Sequence, residues 1–343
     1  MKHMLRIAAL VVAFVALVAA MPAATAFINP DVVKGTSLFE GYGASTHIGS
    51  RRLFAWTNEM TRESDLDAFV EANGGAVTRI NADRTNAFVG GFDSGTDRVI
   101  FQQVSKNDSD LFLYDISART REPLRALNDG HWQWNPSIDT DRSGTPWVAY
   151  GVNRFGSPSA KWRLYLVNMD TSERTLLDET TNRCGCLFPG TVAYPWVTWS
   201  IGADATTWRY NIRSGEREPL LATDRDEYSA ATTPNGTTYI AQGGDRCGVN
   251  ARLYRVARDG SSTLLLRFAP GREPANLSVD HTAPHDRLFY DRRICLSGRA
   301  DILRLRRADV LHGIGGTTAR GAVSSPRGVM RSASTPDASP RTR

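Results

Sequence analysis

The stretch YSAATTPNGTTYIAQGGDRCGVNARLYRVARDGSSTLLLRF, residues 228–268, decides the fold. It reads as four short β-rich runs: YSAATT, TYIAQ, RLYRV and STLLLRF. A Pro-Asn-Gly turn, a polar loop carrying Cys247, and an Asp-Gly turn separate them. Short runs punctuated in this way are strands joined by tight turns. One four-stranded sheet cannot bury both of its faces, so the unit needs neighbours.

The neighbours are in the sequence. Runs resembling TYIAQ begin at residues 53 (LFAWT), 99 (VIFQQ), 147 (WVAYG), 196 (WVTWS), 238 and 288 (LFYDR), spaced 46, 48, 49, 42 and 50 residues apart. Each is followed by a second run: DAFVE, LFLYD, RLYLV, WRYNI, RLYRV and ILRLR. Each is preceded by another: ASTHI, NAFVGGFD, NPSID, GTVA, YSAATT and ANLSVD. Most carry a further run, as in EPLRAL or RTLLDE. Six four-stranded units of this period predict an all-β, six-bladed β-propeller with four-stranded antiparallel blades. Few segments show the 3.6-residue period of helical repeats. The last unit lacks its outer strand, and KGTSLFEGYG (34–43) has no partner of its own. The expectation is that this N-terminal segment closes the last blade, with Leu38 and Phe39 beside the strand around Leu303.

TPNGTTYIAQ (233–242) with RLYRV, and LFLYD (111–115), resemble the turn, apolar strand and LYxxD-like strand of TolB-type six-bladed propellers with WD40-like repeats. The resemblance covers roughly residues 34–310 and is to the propeller part only. The sequence leaves no room for the N-terminal α/β domain of that family, so no Tol-system role is carried over.

Three regions are expected. Residues 1–26 read as a secretory signal peptide: basic MKHMLR, the apolar run IAALVVAFVALVAA, and small residues Ala24 and Ala26 at a cleavage spacing. The apolar run is shorter than the ~20 residues of a membrane span; an uncleaved N-terminal anchor is the alternative. No later segment could span a bilayer. Residues 27–310 form the propeller. Residues 311–343, rich in Gly, Ser, Thr, Pro and Arg, cannot bury enough surface to order and read as a disordered basic tail. The formal charge of +5 sits in the signal and that tail, leaving the body near neutral. A nucleic-acid partner, which would need a basic face on the body, is not expected. The arginine-rich composition suggests a bacterial source.

In an exported chain, four cysteines favour disulfides over a metal. Cys247 and Cys295 lie in second-to-third strand loops of adjacent blades, and Cys184 and Cys186 in the link from blade three to blade four. All point to one rim. A Cys247–Cys295 bond would close a loop of ~50 residues, worth about 4 kcal/mol in the chain-entropy model. Cys184 and Cys186 then clip their own loop, cross-pair, or form a redox-active CGC.

No GxSxG elbow, HExxH or glycine-rich phosphate loop is present, and no cofactor is implied. DHTAPHD (280–286) has helical metal spacing, but Pro284 argues against a helix. DTDRSG (139–144) offers Asp139, Asp141 and Ser143 as weak metal candidates; the bidentate glutamate of a calcium loop is missing. The better reading is a turn, as it is for the Asp-box likeness of residues 137–147. In HWQWNP (131–136), Trp132 and Trp134 either flank the channel mouth or wedge between blades. Asp226, Glu227, Arg246 and Arg293 could complete a polar pocket on that rim. The expected function is a secreted or envelope-associated, non-catalytic propeller binding a protein, peptide or cell-envelope glycan. The alternative is a hydrolase or lyase acting on a glycan or lactone at the channel, where Asp93, Asp139, Asp280 and His47 are the ionisable groups of the innermost runs.

Overall fold

The second strand of each unit is apolar on both faces because both faces are covered. In the computed structural model, Trp196–Ile201 and Thr238–Gln242 are buried at every position. The structure describes residues 31–34, 39–59, 66–105, 108–153, 161–181, 187–201, 206–221, 227–243, 248–294 and 299–305. The signal segment, the tail, Leu38, all four cysteines, Asp226 and Arg246 lie outside the described residues. Among those described there is no helix, and hence none long and apolar enough to cross a membrane.

Twenty-four strands form six four-stranded antiparallel sheets. Strand β1 (Asp31–Lys34) comes first. Blade 1 is β2 (Glu40–Ile48), β3 (Arg51–Glu59), β4 (Leu66–Ala72) and β5 (Val77–Arg79). Blade 2 is β6 (Asn86–Phe92), β7 (Arg98–Ser105), β8 (Asp108–Asp115) and β9 (Thr120–Pro123). Blade 3 is β10 (Trp132–Thr140), β11 (Pro146–Asn153), β12 (Trp162–Asn168) and β13 (Arg174–Thr180). Blade 4 is β14 (Leu187–Ala193), β15 (Trp196–Ile201), β16 (Thr206–Asn211) and β17 (Arg217–Leu220). Blade 5 is β18 (Glu227–Thr232), β19 (Thr238–Gln242), β20 (Arg252–Val256) and β21 (Ser262–Arg267). Blade 6 is β22 (Arg272–Asp280), β23 (Arg287–Ile294) and β24 (Arg299–Arg304), completed by β1.

Burial follows position in the blade. Outer strands β5 and β9 are exposed throughout, and β9 and β17 carry Pro123 and Pro219. Charge and proline on an outer strand prevent further pairing there. The core is a ring of apolar clusters, one at each blade interface. Leu53, Val89 and Phe101 fill the first; Ile100, Ile138 and Tyr150 the second; Leu164, Val197 and Trp199 the third. Leu220, Ile240 and Val256 fill the fourth; Leu253, Leu277 and Leu288 the fifth; Phe54, Trp56, Phe289 and Ile302 the sixth.

The closing strand is corrected by three residues at its start and nine at its end. Asp31–Lys34, not 34–43, pairs with β24: Val32 faces Leu303 and Lys34 faces Ile302. Glu40–Gly43 instead begin β2, because the channel strand of blade 1 is nine residues long rather than the five of ASTHI. Phe39 still touches the last blade, bridging Ala300.

Hydroxyl groups on the channel strands bind adjacent blades together. Ser137 Oγ accepts the amide of Val192 (2.9 Å), Thr191 Oγ1 that of Thr232 (2.8 Å), and Ser229 Oγ that of Leu277 (2.9 Å). These strands are Ser- and Thr-rich because their inner face meets a polar channel, where a hydroxyl satisfies a backbone group that an aliphatic side chain would leave unpaired.

Candidate functional site at the channel mouth

Every innermost strand breaks register once along its length. The shifts fall between Gly41 and Ala44, Val89 and Gly91, Trp134 and Ser137, Pro189 and Val192, Glu227 and Ser229, and Ala275 and Ser278. A β-bulge turns one residue out of the ladder and re-aims its side chain. Six bulges at one level around an axis therefore build a collar.

The collar encloses a cavity of about 390 Å³ lined by all six blades. Close approach demands small residues there: a Cβ on Gly90 would lie 2.1 Å from the carbonyl oxygen of Pro136, and one on Gly190 would lie 2.7 Å from that of Ala230. Three non-glycine residues in the left-handed region line the cavity: Tyr42 (φ 56°), Asn135 (φ 43°) and Asn276 (φ 46°). Asparagine tolerates that conformation; tyrosine adopts it at a cost of about 1 kcal/mol or more.

Asp291 secures this strained level. It is fully buried under the blade 6–blade 1 seam, and its Oδ2 accepts the amide of Tyr42 (3.0 Å) and Nδ2 of Asn276 (2.5 Å). Burial pushes its carboxyl up to about 7, against the opposing pull of Asn276, the Tyr42 amide and Arg293. Burial likewise raises the Tyr42 phenol above its ordinary range. Arg293 and Glu273 face each other across β22 and β23, and both line the cavity.

The opposite wall is apolar. Trp134, Pro136, Phe188 and Pro189 line it. The indole of Trp134 lies over Gly151, where a Cβ would sit 2.3 Å from the ring, and meets Trp162 edge-on at 5.3 Å. Below the collar the channel narrows to a waist of about 40 Å³ bordered by Thr46, Ser137, Thr191, Thr232 and Asp280, then opens at the other end of the disc.

Of the residues singled out in the sequence, Trp134 and Arg293 meet at this cavity. Trp132 starts β10, half-buried and paired with Asn153, and does not line it. Glu227 is not a rim residue: it is fully buried at the start of β18, because the channel strand begins one residue earlier than YSAATT. Burial pushes its carboxyl up to about 8, against the opposing pull of Thr207 and Gln242. The metal candidates are used by their own surroundings. Asp141 Oδ1 accepts the amides of Ser143 (2.8 Å) and Thr145 (3.0 Å) and Oγ of Ser143 (2.6 Å), while Asp139 Oδ2 accepts the amide of Tyr194 (2.6 Å). Among the described residues no three His, Cys, Asp or Glu side chains converge as a metal site. Tyr42, Asn135, Asn276, Phe188 and Glu273 escape sequence reading. A weak signal marks the level itself: Gly41 and Gly43, Gly90 and Gly91, Asn135, Gly190 and Asn276 interrupt otherwise strand-like runs at matching places.

Glu227 supplies a pH test. Its folded-state pKa lies above its unfolded value, so the folded chain holds a proton that the unfolded chain releases. Its stabilising contribution is full below about pH 4.5 and is lost as pH rises to about 8. Glu227→Gln mimics the protonated acid. It is expected to leave stability unchanged near pH 4 and to add up to about 4 kcal/mol near pH 9. Urea midpoints across that range check it; an equal shift at both ends would show that the carboxyl does not titrate there.

No protein-family model matches this chain, and no curated protein matches its sequence. The chain is similar in structure to regucalcin, a calcium-binding protein from Agrobacterium tumefaciens, at 14% identity and a TM-score of 0.52, covering 82% of this chain and 95% of that one. It is similar to Trypanosoma rangeli sialidase in complex with the inhibitor DANA at 7% identity and a TM-score of 0.54, covering 84% and 59%. It is also similar to TolB from Acinetobacter baumannii at 12% identity and a TM-score of 0.47, covering 71% and 60%. The chain thus spans about three-fifths of the TolB and sialidase chains. These identities show the fold alone, so the TolB-type resemblance stands at the level of the six-bladed propeller, and no family is assigned.

Proposed function

We propose that this chain is an exported binding propeller that holds an acidic glycan at the bulged mouth of its channel. One observation carries the reading: an aromatic wall and a set of polar donors face each other across a cavity of small-ligand size. Trp134 offers a ring on which the C–H face of a sugar can pack. Opposite it, Asn276 and Tyr42 offer an amide and a phenol for hydroxyls. The guanidinium of Arg293 makes no side-chain ion pair or hydrogen bond with the described residues, which leaves it for a carboxylate. Among the described lining residues Glu273 is the one carboxylate, and Asp291 is sealed beneath Tyr42. A pair of acids flanking a scissile bond, which glycan hydrolysis calls for, is therefore not what this lining offers, and the binding reading is favoured over the hydrolase or lyase.

The test is tryptophan-fluorescence titration of the purified chain with glucuronate-containing oligosaccharides, with N-acetylglucosamine oligomers as the neutral arm. The acidic oligomers are expected to bind more tightly. Trp134→Ala and Arg293→Gln should each weaken them about tenfold or more, Arg293→Gln with the melting temperature little changed and Trp134→Ala with a lowered one, because its ring packs on Gly151 and Trp162. Binding that is absent, or unaltered in both variants, would remove the proposal. Preference for the neutral oligomers would remove the role of Arg293.

A further inference from the structure

The other end of the channel has a different chemistry. A cavity of about 590 Å³ opens there, lined by Arg142, Arg213 and Arg258. Asp139 is the one carboxylate among its described lining residues, and that carboxylate is buried and occupied by the Tyr194 amide. Three guanidinium charges thus meet one acid. The balance is unlike that of Arg163, Arg174, Arg217 and Arg292, each of which faces an acidic partner: Glu179, Asp129, Asp178 and Asp301 respectively. Neither Arg142, Arg213 nor Arg258 makes an ion pair among the described residues.

Two of the three are held in place by aromatic rings. Arg213 lies over Tyr194, its Cζ 5.2 Å from the ring centroid, and its Nε donates to the Tyr194 hydroxyl (3.3 Å). Arg258 lies 5.9 Å from the centroid of Trp196, a ring it shares with Arg209 at 4.7 Å. Arg209 is itself buried and neutralised by Glu218, so it steadies the ring without contributing free charge. A guanidinium stacked on a ring loses side-chain freedom while keeping its N–H edge for a ligand. Hydroxyls of Thr140, Thr282 and Ser94 line the same cavity. The acids adjacent in sequence, Asp141 beside Arg142 and Asp259 beside Arg258, accept Ser143 Oγ (2.6 Å) and Ser261 Oγ (2.7 Å) in their own turns, and neither they nor Glu216 line the cavity.

We propose that this rim is a second binding site, for a small anion bearing two or more phosphate or carboxylate groups. Several preset guanidiniums around a concave cavity match an anion whose charges are spread over more than one group, because each group can take a bidentate pair of N–H donors. The site is at the opposite end of the disc from the glycan-binding mouth and does not depend on it.

The experiment is calorimetric titration of the purified chain at low salt with pyrophosphate and with citrate, using inorganic phosphate as the single-group control. At least one of the two polyanions is expected to bind with a Kd below about 1 mM and at least tenfold more tightly than phosphate. The affinity should fall steeply between about 50 and about 300 mM sodium chloride. Arg213→Gln combined with Arg258→Gln should weaken it at least tenfold, as should Arg142→Gln on the exposed turn, which leaves the ring stacks intact. Arg293→Gln, at the other end, should leave it unchanged. Polyanions binding no better than phosphate, binding indifferent to all three cavity arginines, or loss of binding in Arg293→Gln would each overturn the proposal. Which of pyrophosphate and citrate is preferred decides between phosphate and carboxylate ligands.

Discussion

Removal of Asp31–Lys34 is expected to destabilise the propeller by about 5 kcal/mol or more, lowering the melting temperature by about 15 °C. Three terms add. The antiparallel pairing of β1 with β24 is lost, each hydrogen bond contributing about 1 kcal/mol. Val33 leaves the cluster of Phe54, Trp56, Phe289 and Ile302, exposing apolar surface worth roughly 1–2 kcal/mol. Lys34 leaves both the face of Trp56 (4.1 Å to the ring centroid) and the carboxylate of Glu71 (2.8 Å). The last two contacts matter most for the ring, because Trp56 and Glu71 belong to blade 1 while β1 completes blade 6. Losing the strand also bares the edge of β24, a template for intermolecular pairing. A companion variant separates the effects. With a DVVK strand placed after Arg304 through an Asn-Gly turn, blade 6 would have its fourth strand but the covalent lap between first and last blades would be gone. Its stability should fall between wild type and deletion. Urea unfolding and light scattering measure both. A deletion costing less than about 1 kcal/mol would show that β1 does not close the ring.

The second large effect belongs to Asp280, at the blade 6–blade 1 seam beside the channel waist. It is buried, and its two oxygens take five hydrogen bonds. Oδ1 accepts the amides of Thr282 (3.1 Å) and Ala283 (3.2 Å) and Oγ1 of Thr282 (2.7 Å). Oδ2 accepts Oγ of Ser45 (2.9 Å) and faces Nδ1 of His47 (2.7 Å). Nε2 of His47 faces the guanidinium of Arg287 (3.1 Å), so the ring carries its proton on Nδ1, donates to Asp280 and accepts from Arg287. Asp280 is therefore both a turn tie and an inter-blade tie. Asp280→Ala leaves several donors without their carboxylate partner at a buried seam and is expected to cost about 4 kcal/mol. Asp280→Asn keeps one acceptor for the turn but presents an amide to Ser45 and His47, and should cost about half as much. A double-mutant cycle with His47→Ala isolates the inter-blade share. An alanine variant unfolding within about 1 kcal/mol of wild type would refute the account.

Asp280 also illustrates how far the chain could be read. Its role as a turn residue is local, written in DHTAPHD, where a carboxylate precedes a Thr and a chain reversal. Its bonds to Ser45 and His47 cross more than 230 residues and follow from ring closure alone. Glu227 shows the same division in reverse. A glutamate beside a loop reads as solvated, yet the strand reaches back one residue and carries it into the interior. At the channel mouth, Trp134 stands out in the sequence because aromatics in a polar link are conspicuous. Tyr42 does not, since nothing local reveals that a tyrosine in GYG will take a left-handed conformation at a bulge.

By itself the sequence determined the six repeats, their four-stranded composition, the apolar second strands and charged outer strands, and an N-terminal segment as the closing piece. All of these rest on the two-residue alternation of strands and on turn residues a few positions apart, which are properties of short windows. Only the tertiary structure decided which four residues close the ring, that six bulges meet as a collar, and that arginines from separate blades converge at the far rim. Those outcomes depend on the angle at which each sheet meets the axis, and that angle is set by packing between blades that no single window of sequence contains.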